Sequence, residues 1–364
     1  MRHFSRDKKM RGGMSVPFPS SHSLFGDETL TLYTQIFITM KNLAMKPHSQ
    51  PLDIEVHNLI KKYSGEKTNA VDNIDLQVYQ GEIFGFLGPN GAGKSTTIGI
   101  LVTSLFPTSG RVIVNGFDVS KQPDKVRATT GVVYQRVSLD EKLTVEENIR
   151  SHAVLYDVAN YAPSYNLMSD RYKSRLAEVL DLVGLPNTQN MIVKKLSGGM
   201  RRRIDIAKSL FHVPQILFLD EPTTGLDPQS RRSVWEYLTK LQKEHHFTIF
   251  LTTQYLEEAE ICDRISIIDQ GKILITDTPK KLKSQVGQEM LYLTATKPHE
   301  LEKELIAKNI HFSVGKDGSF IIDASTQKAQ KILASIRSDL QEMNIRKPSL
   351  DDVFIQLTGR KMEQ

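Results

Sequence analysis

At positions 88–96 the chain reads Gly88-Pro89-Asn90-Gly91-Ala92-Gly93-Lys94-Ser95-Thr96, which fits the Walker A pattern of a phosphate-binding loop. An apolar run at 81–87 precedes the loop and is predicted to form a buried strand. Glycines let backbone N–H groups approach phosphate oxygens closely, Lys94 places a charge between the β- and γ-phosphates, and Ser95 offers a hydroxyl to Mg²⁺. We therefore expect all nine residues to contact a nucleoside triphosphate.

A second apolar strand is predicted downstream, and it ends in two carboxylates: Ile216-Leu217-Phe218-Leu219-Asp220-Glu221. Asp220 is expected to hold Mg²⁺ directly or through water, and Glu221 to polarise the attacking water as a general base. An acidic pair at the end of a strand is otherwise typical of a helix cap. The phosphate-binding loop upstream favours the catalytic interpretation.

A third motif, Leu196-Ser197-Gly198-Gly199-Met200, lies between the first two. A Ser hydroxyl and bare Gly amides at the start of a helix can wrap a terminal phosphate. A chain with two phosphate-binding elements is predicted to bind ATP at the interface between two copies of itself. Ser197, Gly198, Gly199 and Met200 are then the residues that face the nucleotide held by the other copy.

Together these motifs resemble the ATP-binding subunit of an ABC transporter, from about Leu52 to the C-terminus. The chain looks like the daunorubicin-resistance (multidrug exporter) type, on the runs at 196–203 (Leu-Ser-Gly-Gly-Met-Arg-Arg-Arg), 223–228 (Thr-Thr-Gly-Leu-Asp-Pro), 252–259 (Thr-Thr-Gln-Tyr-Leu-Glu-Glu-Ala) and 349–354 (Ser-Leu-Asp-Asp-Val-Phe). The resemblance implies an α/β fold of the P-loop NTPase class, with an ABC-type ATPase domain that carries a helical subdomain. It also implies ATP and Mg²⁺ as cofactors.

Three further residues acquire roles through this resemblance. Tyr63 stands where the family stacks an aromatic ring on adenine. Gln135, after the strand 132–134, corresponds to a Gln that touches Mg²⁺ and the attacking water. Asp227 belongs to Gly225-Leu226-Asp227, which matches the loop that lines the partner's site. Taken alone, a Tyr in Lys-Lys-Tyr, a Gln after a strand and a Gly turn are ordinary surface features.

Two positions depart from the commonest family pattern. Met200 ends the signature where Gln is usual, and Gln254 stands where many ABC ATPases carry a His that contacts the γ-phosphate. Gln can donate a hydrogen bond but cannot take up a proton near neutral pH. If this residue only positions the phosphate, activity survives; if it must move protons, hydrolysis is impaired. The daunorubicin-resistance type keeps Gln here, which favours an active ATPase and a catalytic role for Gln254.

The chain is predicted to have three parts. Residues 1–51 are read as an N-terminal extension, either disordered or a leader from a mis-annotated start, or else a short amphipathic helix on a membrane or permease. Residues 52–283 are expected to form the ABC ATPase domain, with the helical subdomain at about 137–212. Residues 284–364 are expected to form a small accessory or regulatory domain.

The C-terminal part is predicted to be α+β and ferredoxin-like, because its elements read in the order βαββαβ. The predicted elements are strands at 290–296, 311–314, 319–323 and 344–346, helices at 300–308 and 326–342, and a turn at 316–318.

Bulk properties narrow the class of protein. Seven basic and three acidic residues in the first fifty account for most of the net charge of +5, so a nucleic-acid footprint over the rest is not supported. No apolar run approaches the roughly 18 residues of a membrane-spanning helix, so transport would need a separate permease. The single cysteine, Cys262, excludes an internal disulfide and fits a reducing compartment.

We expect an ATP-hydrolysing subunit that works as an ATP-sandwiched homodimer on the cytoplasmic face of the cell membrane. It would energise a separate permease for export of drug-like or lipophilic compounds. One alternative is a soluble ABC ATPase that acts on a macromolecule, although the chain has one P-loop and no long heptad run. The other is an ATP-dependent switch with negligible hydrolysis, which Gln254 alone supports.

Overall fold

The computed structural model describes residues 51–286, 289–315 and 318–359. The interpretations of residues 1–50 as a leader or an amphipathic helix, and of most of the turn at 316–318, lie outside this range. Within the described residues no helix is both long enough and apolar enough to cross a membrane.

A six-stranded sheet forms the centre of the ATPase part, in the order β10-β9-β3-β8-β7-β6. Five of these strands run parallel, and the edge strand β10 is antiparallel to β9. The strands are β3 (Ile83–Leu87), β6 (Thr130–Val133), β7 (Ile216–Asp220), β8 (Thr248–Thr253), β9 (Arg264–Asp269) and β10 (Lys272–Asp277). The carboxyl ends of β3, β6, β7 and β8 share one edge, which is where such sheets bind ligands.

The central strands are apolar along their whole length because both faces are covered. In β7, Ile216 and Phe218 lie in one core, while Leu217 and Leu219 lie in the other. The first core is closed by a four-stranded sheet in the order β2-β1-β4-β5. The strands of this sheet are β1 (Leu52–Lys61), β2 (Val71–Tyr79), β4 (Ser109–Val114) and β5 (Phe117–Asp118). Two helices also line the first core, α1 (Lys94–Leu101) and α2 (Pro123–Thr129).

The opposite core is covered by helices, as the pattern over 137–212 predicts. These are α3 (Val145–Leu155), α4 (Asp170–Leu182), α5 (Gly198–Leu210) and α6 (Pro228–His245), with short helical turns at Tyr165–Leu167 and Val193–Lys195, then α7 (Leu256–Ala259) and α8 (Pro279–Val286). Thr144 begins α3 with a capping box, in which its side chain accepts from the Glu147 amide and the Glu147 carboxylate accepts from the Thr144 amide.

The C-terminal part contains a third, antiparallel sheet in the order β12-β13-β11-β14. With two helices it gives the predicted βαββαβ sequence: β11 (Met290–Ala295), α9 (Pro298–Ala307), β12 (Ser313–Val314), β13 (Phe320–Asp323), α10 (Thr326–Ser335) and β14 (Leu340–Arg346). The all-antiparallel pairing, with the last strand beside the first, agrees with the ferredoxin-like prediction.

The predicted helix 326–342 is wrong in its second half, and the predicted strand 344–346 is too short. The helix ends at Ser335, and residues 340–346 instead pair with β11. The Glu304 carboxylate fixes the turn by accepting from the amides of Arg337 and Ser338, at 2.8 and 2.9 Å. Pairing with β11 across the sheet therefore overrides the local helical pattern.

A last helix, α11 (Leu350–Thr358), follows the third sheet, and the sequence analysis assigned it no element. Its residues Leu350, Val353 and Phe354 are buried in the helix-covered core of the ATPase part, together with Leu282 of α8. The same helix contacts the third sheet, because the Tyr292 hydroxyl donates to the Asp352 carboxylate at 2.6 Å. The C-terminal helix thus joins the two parts.

Candidate nucleotide site

The phosphate-binding loop lies between β3 and α1, with its backbone packed closely against neighbouring chain. Gly93 has φ 106°, and a Cβ there would lie 2.5 Å from the Ala70 carbonyl oxygen. A Cβ on Gly88 would lie 2.3 Å from the Ile268 carbonyl oxygen. Only glycine fits at these two positions. The tight turn leads into the start of α1, where backbone amides and the helix dipole favour an anion.

Lys94 is the buried cation of this loop. Its ammonium donates to the carbonyl oxygens of Gly88 and Pro89, at 2.8 and 3.0 Å. It also lies 3.2 Å from the Glu221 carboxylate, and both side chains are almost fully buried. Walker A and the end of β7 are therefore brought into direct contact, as the motif analysis predicts.

Asp220 is surrounded by hydroxyl groups. Ser95 and Thr252 donate to the same carboxylate oxygen, at 3.4 and 2.5 Å. Burial raises the pKa of Asp220, and the hydrogen bond from Thr252 opposes that rise. A buried carboxylate beside a hydroxyl supplies the hard oxygen ligands that Mg²⁺ prefers, so the residues fit this ion.

Glu221 is the centre of the predicted catalytic group. The Gln135 amide donates to its carboxylate at 3.0 Å and the Thr224 hydroxyl at 3.2 Å. Its backbone has φ 45°, a region that non-glycine residues occupy rarely and mostly at turns and functional sites. The amide of Glu221 bonds the Thr252 hydroxyl at 3.1 Å, so β8 supports this conformation.

Tyr63 and Gln254 flank this group. Tyr63 is 40% exposed and its hydroxyl lies 3.3 Å from that of Thr96, so the ring stands beside the end of Walker A, where an adenine could stack on it. Gln254 follows β8 and is 9% exposed. Its carbonyl oxygen Oε1 is buried without a hydrogen-bond partner among the described residues. An unpaired buried acceptor is costly, which marks this side chain as a candidate ligand contact.

The signature motif and Asp227 lie close together, and Ser197 and Asp227 each bond an amide three residues later in the chain. Ser197 caps α5 by accepting from the Met200 amide at 3.2 Å, and Asp227 caps α6 by accepting from the Ser230 amide at 3.0 Å. A Cβ on Gly199 would come within 2.8 Å of the Ser230 hydroxyl, so the two helix starts touch. Met200 packs its side chain against the core.

Three residues of the site were missed by sequence reasoning. Thr252 and Thr224 bond the two carboxylates, and Arg202 lies buried behind them. Arg202 donates to the carbonyl oxygens of Pro222, of Tyr134 at 2.5 Å and of Glu221 at 3.4 Å. Burial lowers the pKa of Arg202, and Asp205 opposes that shift. The one available signal was an arginine on the apolar side of a predicted helix.

Comparison with known proteins agrees with this geometry. Residues 71–224 match the family described as ABC transporter, and residues 278–358 match the C-terminal domain of DrrA1-3-like ATP-binding proteins. The daunorubicin/doxorubicin resistance ATP-binding protein DrrA of Streptomyces peucetius is 40% identical over 84% of this chain and 92% of its own length. This chain belongs to the ABC transporter ATP-binding proteins. Its activity is ATP hydrolysis coupled to transport.

Other relatives and solved structures extend the likeness. The linearmycin resistance ATP-binding protein LnrL of Bacillus subtilis is 36% identical, over 83% of this chain and 97% of that protein. The structure of cbiO1 from Clostridium perfringens, part of an ABC transporter complex, has a TM-score of 0.57 and 28% identity, over 64% of this chain and 91% of that one. A dimeric ATP-binding cassette, MJ0796 with ADP and phosphate, has a TM-score of 0.55 and 27% identity, over 62% and 98%.

Proposed function

We propose that this ABC ATPase subunit exports a drug-like or lipophilic compound through a separate membrane permease, from the cytoplasmic face of the membrane. Its relatives support export, since they are ATP-binding proteins of daunorubicin, doxorubicin and linearmycin resistance and, in Paraburkholderia xenovorans, of Nod factor export. The cargo site would lie in the permease, so the ATPase residues carry no cargo specificity.

Within the site we propose the following division of roles. Lys94 and the Walker A amides hold the β- and γ-phosphates, while Ser95, Asp220 and Gln135 hold Mg²⁺. Glu221 takes the proton of the attacking water, and Gln254 orients the γ-phosphate. The observation that carries this proposal is the contact of Lys94 and Gln135 with the same Glu221 carboxylate, at 3.2 and 3.0 Å.

We further propose a head-to-tail homodimer with two ATP molecules. Ser197 and Gly198 are exposed, and Asp227 caps the neighbouring helix with its carboxylate in solvent. The Ser197 hydroxyl and the Gly198 amide at the start of a helix are suited to bind a phosphate carried by another copy. The predicted division into residues 1–51, 52–283 and 284–364 belongs to the same proposal.

The test is Glu221→Gln in the full chain. The amide cannot take a proton from water, whereas Lys94 and the loop amides are unchanged, so ATP binding is expected to persist while turnover stops. The variant is expected to accumulate as an ATP-bound dimer, measured by light scattering. Glu257→Gln, an 87% exposed carboxylate, is the control and keeps parental turnover. A Glu221→Gln chain that hydrolyses ATP normally, or stays monomeric with ATP, contradicts the two-site sandwich.

Export itself is tested in cells that express the chain together with its partner permease. Efflux of fluorescent daunorubicin is expected with the parent and not with Glu221→Gln. Equal retention of the dye in both strains, with an active purified ATPase, contradicts export of this class of compound.

A further inference from the structure

The carboxylate of Glu258 is a buried group that the roles above do not use. It lies on α7, four residues after Gln254, and is 1% exposed. A fully buried carboxylate is uncommon unless specific donors hold it.

Three donors from a strand, a helix and a loop converge on this carboxylate. The Thr253 hydroxyl at the end of β8 donates at 2.5 Å, and the Trp235 indole N–H of α6 donates at 3.1 Å. The Thr223 hydroxyl, two residues after Glu221, donates to the same oxygen as Trp235. All three partners are buried as well.

These bonds fix the chain on both sides of the nucleotide site. The Thr253 hydroxyl also accepts from the Tyr255 amide at 2.9 Å, so the backbone around Gln254 is tied to Glu258 from either end. The Arg231 guanidinium lies 4.1 Å from the Tyr255 ring centre, which joins this loop to α6 a second time. The backbone that carries Gln254, whose buried Oε1 has no partner among the described residues, is thereby held on both sides.

We propose that Glu258 is a positioning residue for hydrolysis, which aligns Gln254 with the chain that follows Glu221. The inference rests on the proposed role of Gln254 at the γ-phosphate. Binding of ATP depends on Walker A, so Glu258 is expected to affect the chemical step and not the affinity.

The test compares kcat and KM for ATP in purified full-length variants. Glu258→Ala removes the acceptor and is expected to lower kcat by at least about tenfold, with KM within about twofold, because misplaced catalytic groups cost rate. Glu258→Gln keeps the side-chain shape and an oxygen that can accept from Thr223 and Trp235, so it is expected to restore most of kcat. Glu260→Gln, an exposed carboxylate two residues later that bonds Lys283, is the matched control and keeps the parental rate.

The decisive measurement is the same substitution in a Gln254→Ala background. If Glu258 acts through Gln254, Glu258→Ala lowers kcat no further there, whereas a merely structural carboxylate lowers it by the same factor in both backgrounds. Equal losses in both, or a parental kcat for Glu258→Ala, overturns the inference while leaving the ATPase assignment intact. A parent chain without turnover overturns both.

If Glu258→Ala does not fold, a second variant tests the same inference. Thr253→Val removes one hydroxyl and keeps the side-chain shape, and it is expected to lower kcat selectively and non-additively with Gln254→Ala. An additive loss in that pair overturns the inference equally.

Discussion

Gln254 is the side chain at which this site departs most from many other ABC ATPases. Its amide is nearly buried at the end of β8, with Oε1 unpaired. An amide offers donors and an acceptor but no proton transfer near neutral pH. We therefore expect Gln254 to act by position alone.

Replacement of Gln254 by His is predicted to keep ATPase activity or raise it modestly. A neutral imidazole supplies one N–H in place of the amide donor, whereas Gln254→Ala supplies none and is expected to be slower. The measurement is kcat from pH 5.5 to 8.5. A gain of about a hundredfold with His, roughly 2.7 kcal/mol of barrier, with a new pH dependence near the His pKa of about 6.5, would show that proton handling matters.

The residues of the site differ in how readily the sequence alone predicts them. A short sequence pattern contains Lys94 and Ser95, because both belong to one phosphate-binding turn. It likewise contains Asp220 and Glu221, because both lie at the end of one strand. Thr252 bonds Asp220 from the neighbouring strand, and such a partnership depends on strand order. Strand order in turn depends on packing of the whole sheet, which a short pattern does not contain.

At the scale of elements, α11 is the part that sequence patterning missed. It is nine residues long, and its buried side chains lie in a core whose first member, Ile83, is far earlier in the chain. The predicted helix at 326–342 failed for a related reason, since pairing of 340–346 with β11 overrides local preference. The parallel core strands were predictable because both of their faces are apolar.

Truncation of Phe354 in α11 is predicted to destabilise the chain strongly. Its ring is fully buried, so Phe354→Ala leaves a cavity and is expected to cost about 3–5 kcal/mol. Thermal unfolding of the full chain measures the effect. Leu357→Ala on the same helix is the control, because Leu357 is 40% exposed and its loss is expected to cost about 0.5 kcal/mol or less. Equal melting temperatures for the two variants contradict a core role for α11.

At the scale of the whole molecule, deletion of residues 1–44 is predicted to leave ATPase activity intact. Every residue assigned to the nucleotide lies at Tyr63 or later in the chain. The comparison is kcat and KM of the truncated and full-length chains. A truncated chain that stays soluble but is inactive would assign the extension a structural role instead.

The position of Arg202 has a consequence for how two nucleotides bind. It lies in α5, the helix that begins beside Ser197, and it donates to the carbonyl oxygens of Tyr134 and Glu221, which adjoin Gln135 and the Glu221 carboxylate. In the proposed dimer, Ser197 touches the ATP of one site while Gln135 and Glu221 of the same chain serve the other. Occupancy of either site is then linked to the other through contacts that include this guanidinium, and linkage of this kind is reciprocal. ATP should therefore bind cooperatively, with a Hill coefficient above one that Arg202→Lys, which lacks the planar fork of donors, reduces.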